Sequence, residues 1–145
     1  MIVRRRKTPV RGKPRSVSEA VRLRILITED NRDSADSLKA LLDALGYDGH
    51  IAYDGETAVR SAAALRPDVI IMDIGLPGID GYEAARQIRA QNLDARLTIV
   101  ALTGWGQHAD RLKSADAGID HHLVKPLDLA VLRRILDSLP PPAAR

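Results

Sequence analysis

The chain has no cysteine, and aromatic residues make up only 3% of it, with one Trp, three Tyr and no Phe. Without cysteine there is neither a disulfide framework nor a thiolate metal site, which fits a reducing, cytoplasmic compartment. No apolar run is long enough to span a bilayer. The N-terminal stretch carries Arg4, Arg5, Arg6, Lys7, Arg11, Lys13 and Arg15 with no apolar segment after it, so it is not a secretory signal. Nor does it interleave aromatics among its charges or present an apolar face, as a nucleic-acid groove or a membrane-surface helix would.

What remains is ordinary globular composition: 145 residues, 45% hydrophobic and 28% charged. That length predicts one domain with a core able to fold alone. The net charge of +3 misleads, because seven of the 22 Lys and Arg residues precede the first acid, Glu19. Beyond that point 15 basic residues face 19 acidic ones, so the folded part is mildly acidic and no specific nucleic-acid binding is expected. Residues 1–20 read as a basic tail with too few apolar side chains to offset the entropy of ordering it. Residues 21–139 form the folded unit, and 140–145 a Pro-rich C-terminal tail.

Within that unit a short β-branched run, Leu23 to Thr28, meets Glu29-Asp30-Asn31, after which Leu38, Leu41, Leu42 and Leu45 recur at helical spacing up to a Gly46 stop. His50 to Tyr53 predicts a second strand, and Ala58, Ala62 and Leu65 line the helix that Pro67 ends. The run Val69 to Asp73 is a third strand, closed by a Gly/Pro-rich turn that can continue neither strand nor helix. Further on come a helix from Gly81 to Ala90, a strand from Leu97 to Leu102, a helix from about Gln107 to Ala117 and a strand from Ile119 to Val124. A last helix turns Leu129, Leu132, Ile135, Leu136 and Leu139 inward. Five strands alternating with five helices predict an α/β fold, a doubly wound, flavodoxin-like parallel sheet of order 2-1-3-4-5 with helices on both faces.

Every chemically interesting residue then follows or ends a strand: Glu29 and Asp30 the first, Asp73 the third, Thr103 the fourth, Lys125 the fifth. In this strand order the first and third strands adjoin at the topological switch point, where ligands bind, so the three carboxylates converge. Three like charges in one crevice either raise their pKa values or gather round a cation, and an all-oxygen site with room for water suits Mg²⁺. Lys125 adds a positive charge and Thr103 a hydroxyl donor. Carboxylate, divalent cation, ammonium and hydroxyl are together what phosphoryl transfer onto an Asp requires, with Asp73 as the acceptor. The plainer readings make Asp73 a turn former, Glu29-Asp30 the cap of the first helix, Thr103 a strand-end turn residue and Lys125 a surface lysine.

Four separated motifs carry a resemblance over about Val21 to Leu139: Ile27-Thr28-Glu29-Asp30-Asn31, the stretch from Met72-Asp73 through Leu76-Pro77-Gly78 to Asp80-Gly81, Ala101-Leu102-Thr103-Gly104, and Leu123-Val124-Lys125-Pro126. At these residues the chain resembles the receiver domain of two-component response regulators, and within that family the receivers of hybrid histidine kinases. The resemblance implies that Asp73 is the phosphoacceptor. It implies Mg²⁺ held by Asp30, Asp73 and the main-chain carbonyl of Gly75, with Glu29 acting through water, and Thr103 and Lys125 binding the phosphoryl group. It further implies a cis Lys125–Pro126 peptide and a switch in which Thr103 moves together with the residue three before the Lys.

Two positions depart from the usual pattern. Glu29 stands where Asp is commoner, and His122 takes the switch position usually held by Tyr or Phe. Trp105, two residues past Thr103, is placed to limit water access to the phosphate. The chain opens with its own Met and shows no kinase or output segment, so the expectation is a stand-alone receiver. It would be phosphorylated by a histidine kinase or a histidine phosphotransfer protein and would switch a protein-interaction surface near the fourth helix, fifth strand and fifth helix. A constitutive, never-phosphorylated binding module of the same fold is the alternative. A phosphohydrolase ranks last, because Gly75 stands where haloacid-dehalogenase-like phosphatases carry a second Asp.

Overall fold

A computed structural model of the chain describes residues 22–94, 96–104 and 111–142. The expected basic tail over 1–20, Trp105 and the start of the fourth helix near Gln107 lie outside the described residues.

Among the described residues, five strands, β1 (Arg24–Thr28), β2 (Asp48–Ala52), β3 (Val69–Asp73), β4 (Thr98–Thr103) and β5 (His121–Val124), alternate with five helices. The helices are α1 (Arg32–Ala44), α2 (Gly55–Leu65), α3 (Gly81–Ala90), α4 (Arg111–Ala117) and α5 (Leu129–Ser138). All strand pairs are parallel and the order is β2-β1-β3-β4-β5, as the alternation of elements predicts. Boundaries differ by a residue or two. β2 begins at Asp48, and Tyr53 lies beyond its end. β4 runs from Thr98 through Thr103. β5 starts at His121, because Gly118 in a left-handed conformation (φ +79) turns the chain there.

The central strands are buried on both faces, which is why β3 and β4 read as continuous apolar runs. On one face Leu26, Ile70, Met72, Ile99 and Ala101 pack against α2, α3 and the end of α4 through Ala58, Ala62, Ala85, Ile88 and Ala117. On the other, Ile25, Ile27, Val69, Ile71, Val100 and Leu102 pack against α1 and α5 through Ala35, Leu42, Leu132 and Leu136. The leucine row of α1 is only partly buried: Leu42 is enclosed, whereas Leu41 is 41% exposed.

Short polar side chains start α1, α2, α3 and α5. Asn31 Oδ1 accepts from Ser34 N, Asp54 Oδ1 from Thr57 N, Asp80 Oδ1 from Glu83 N and Asp128 Oδ1 from Ala130 N, each satisfying an orphan first-turn donor. The cap of α1 is therefore Asn31. Glu29 and Asp30 are left free of that duty.

Candidate phosphoacceptor site

β1 and β3 lie side by side, with Thr28 opposite Met72, so the residues that follow Thr28 and Met72 arrive together at the carboxyl edge of the sheet. Glu29 and Asp73 are both buried there (6% and 5% exposed), while Asp30 faces solvent. Carboxylate oxygens of the three lie within 4.8 Å of one another. The strand-end logic thus brings together the acids that the sequence placed apart.

Lys125 enters from β5, on the far side of β4. Its ammonium donates to Glu29 Oε1 and to Asp73 Oδ2, both at 2.8 Å. The second oxygens are also engaged: Glu29 Oε2 accepts from Asn31 N at 3.0 Å, and Asp73 Oδ1 from Gly75 N at 2.9 Å. So the turn-forming reading of Asp73 is realised alongside its place in the cluster. Burial lowers the proton affinity of Lys125, but the hydrogen bonds and charges of Asp73 and Glu29 outweigh it and raise the pKa above the lysine value of 10.5. The Lys125–Pro126 peptide is cis, as the resemblance implies.

Thr103 is 3% exposed at the end of β4, and its hydroxyl points to Leu123 O at a long 3.5 Å, toward β5. The Gly75 main chain, which the resemblance makes a metal ligand, follows Asp73 in an exposed turn. His122 lies opposite Ala101 in the register, on the α4 side of the sheet, and its Nε2 is 2.5 Å from Ser114 Oγ. Ser114, 2% exposed on α4, was not among the residues that motif reading singles out. Its pairing depends on how α4 lies across β5, and no local pattern reports that.

Gly81 holds the site from behind. A Cβ there would stand 2.5 Å from Asp73 O and 2.8 Å from Ile74 Cα, so only a bare backbone lets the start of α3 approach β3 so closely. Beside the cluster, a cavity of about 320 Å³ opens between α1 and α5, with Glu29 and Lys125 on its wall among Ile27, Leu38, Leu41 and Leu127.

Three carboxylates against one ammonium leave two negative charges in one crevice, the complement of a divalent cation. The donors are all oxygen, hard ligands of the kind Mg²⁺ takes, with the solvent-facing Asp30 leaving room for water.

Comparison with known proteins matches residues 25–137 to the response regulator receiver domain. The chain belongs to that family. This receiver is 37% identical over 110 residues to the response regulator MprA of Mycobacterium avium (strain 104), covering 76% of this chain and 47% of that one. It thus spans about half the length of the curated relatives it matches. The receiver domain of sensor histidine kinase PA1611 from Pseudomonas aeruginosa PAO1, solved with a magnesium ion coordinated in its active site cleft, superposes with a TM-score of 0.72 at 42% identity. That match covers 81% of this receiver and 97% of the neighbour. The receiver domain of Saccharomyces cerevisiae Ssk1, co-crystallised with the histidine phosphotransfer protein Ypd1, matches with a TM-score of 0.70 at 31% identity, over 80% of this receiver and 87% of that chain. Among the described residues no helix is long and apolar enough to cross a membrane.

Proposed function

We propose that this receiver accepts a phosphoryl group on Asp73 from a phosphohistidine of a histidine kinase or histidine phosphotransfer protein, and that the modification switches a protein-binding surface. The observation that carries this reading is the Lys125 ammonium joined to both Glu29 and Asp73 at 2.8 Å, with Asp30 within reach of both acids. That set of residues would suit neither a turn nor a cap alone.

In the step itself a carboxylate oxygen of Asp73 attacks phosphorus in line. The new O–P bond forms as the N–P bond to imidazole breaks, and the imidazole departs with the bonding electron pair. Lys125 holds the acceptor carboxylate and offers its charge to the incoming phosphoryl oxygens. Thr103, by turning its hydroxyl away from Leu123 O, donates to one of those oxygens. Asp30, Asp73 and the Gly75 carbonyl would hold Mg²⁺, with Glu29 acting through water. Bound there, the ion neutralises charge on the carboxylates and the transferring group. Phosphorylation then biases a pre-existing equilibrium in which Thr103 and His122 move together.

The apolar cavity beside Lys125 offers a phosphohistidine donor a surface adjoining the acceptor. The receiver unit is 21–139, flanked by the basic tail of 1–20 and the Pro-rich 140–145. It works in the cytoplasm, its effect passing to a protein target. Intact mass after incubation with Mg²⁺ and a small acyl phosphate, or with a phosphorylated histidine phosphotransfer protein, tests the reading. One added phosphoryl group is expected, absent in Asp73→Asn and without Mg²⁺. No modification by either donor overturns it in favour of a constitutive binding module.

A further inference from the structure

The contact between Ser114 and His122 joins α4 to β5 on the face of the sheet shared with Ala101. At 2.5 Å it is a short hydroxyl–imidazole hydrogen bond, and the hydroxyl belongs to a residue that is 2% exposed. A buried hydroxyl that loses such a bond keeps its desolvation cost and gains nothing in return. His122 therefore cannot leave its position freely, unless Ser114 travels with it.

The structure opposes that travel, because the end of α4 is pinned. Ser114 O accepts from Ile119 N at 3.0 Å, closing the last turn of the helix. Arg89, on α3, donates through Nε to Gly118 O at 3.0 Å and through Nη2 to Asp120 Oδ2 at 2.8 Å. Asp120 Oδ2 in turn accepts from Ile99 N, on β4, at 2.8 Å. A side chain on Gly118 would meet Arg89 Cγ at 2.8 Å, so the two segments are already in close contact. α3, β4 and the α4–β5 turn are thus tied into one unit, with Ser114 one turn from its anchor. With the helix end anchored in this way, movement of the His122 ring alone would break the hydrogen bond.

Resting on the reading of Thr103 and His122 as the switch pair, we propose that the Ser114–His122 hydrogen bond is the latch that holds this receiver in its resting conformation, with Ser114 as the positioning residue. An aromatic hydrocarbon at position 122 would have no such tether. The imidazole supplies one, so in this chain the resting state is held by a specific polar bond as well as by packing. Phosphorylation at Asp73 must outweigh that bond before the α4–β5 surface changes. Removing the Ser114 hydroxyl raises the population of the switched state in the unphosphorylated chain, and by linkage makes Asp73 easier to phosphorylate.

The first test is NMR relaxation dispersion on the His122 ring in the full unphosphorylated chain, comparing the parent protein with Ser114→Ala. Loss of a buried hydroxyl partner predicts a rise of about tenfold in the minor-state population. The parallel measurement is the rate of phosphorylation by a small acyl phosphate in the parent, Ser114→Ala, His122→Phe and the double variant, with thermal melts to confirm folding. Ser114→Ala is expected to accelerate phosphorylation by a similar factor in the parent background and to have no effect in the His122→Phe background. An unchanged minor-state population, or an equal Ser114→Ala effect in both backgrounds, overturns the latch even where the parent is phosphorylated normally. A parent chain that takes no phosphoryl group overturns the proposed function, and the dispersion measurement still decides whether Ser114 holds His122.

Discussion

Lys125 Nζ and Asp73 Oδ2, 52 residues apart in sequence, stand 2.8 Å from each other at the carboxyl edge of the sheet. The same ammonium reaches Glu29, so one cation satisfies two buried carboxylates that would otherwise repel. Its charge also occupies oxygens that a metal ion would use.

Replacing Lys125 by Met separates two roles. With the competing ammonium gone, Mg²⁺ is expected to bind about tenfold tighter, from the Coulomb repulsion between a lysine charge and a divalent ion at a few ångströms in water. The proposed phosphoryl uptake on Asp73 is expected to fall at the same time. Calorimetric titration with Mg²⁺ and intact-mass kinetics, run on one preparation, check the split.

The raised pKa of Lys125 makes stability depend on alkaline pH. Because the folded-state pKa lies above the ordinary 10.5, the stabilisation is fully present below that value and is lost as pH rises through the higher folded value. The difference in urea midpoint between the parent and Lys125→Met is expected to be constant near neutrality and to shrink above pH 10.5. A difference that stays flat across that range contradicts the assignment.

Asp30 is exposed, whereas its companions in the acidic cluster are buried. Asp30→Ala is expected to leave metal-free stability within about 0.5 kcal/mol of the parent, as surface substitutions usually do. It should abolish stabilisation by Mg²⁺, which in the parent amounts to about 2.7 kcal/mol at a hundredfold excess over Kd. Thermal melts with and without the ion read both quantities.

Gly81→Ala places a methyl group against the Asp73 and Ile74 backbone, atoms that cannot give way as a flexible side chain would. A loss of about 1–3 kcal/mol is expected from overpacking, with weakened Mg²⁺ binding because the end of β3 that carries Asp73 is displaced. Urea denaturation measures the first effect and metal titration the second.

Asp120 does more than pair with Arg89. It also accepts from the amide of Ile99, a residue with no exposure, so Asp120→Ala leaves a buried donor unpaired. That variant is expected to cost about 1–3 kcal/mol. Arg89→Ala, which removes a half-exposed ion pair and one carbonyl contact, should cost about 1 kcal/mol. The order of the two, measured by chemical denaturation, tests which group anchors the α4–β5 turn.

The sequence by itself determined the alternation of strands and helices, and with it the chemistry of the strand ends. Apolar runs stop where Glu29, Asp73 and Lys125 begin or end them, and stops of this kind are local properties of composition. The right-handed crossover rule then carried the strand order, since few topologies suit five βα units. Boundaries were less legible. Whether β5 starts at Ile119 or His121 depends on the left-handed Gly118 and on Asp120 bonding to β4, and those are contacts with other segments.

Only the tertiary structure decided that Leu41 overhangs a groove while Leu42 is enclosed, because helical spacing fixes a stripe and not the width of the surface that covers it. The same holds for the unit of Arg89, Gly118 and Asp120, and for Ser114 against His122. Each joins elements whose relative placement is set by the packing of whole helices on the sheet. A side chain's local sequence states what it can bond to, and the fold determines what stands within reach.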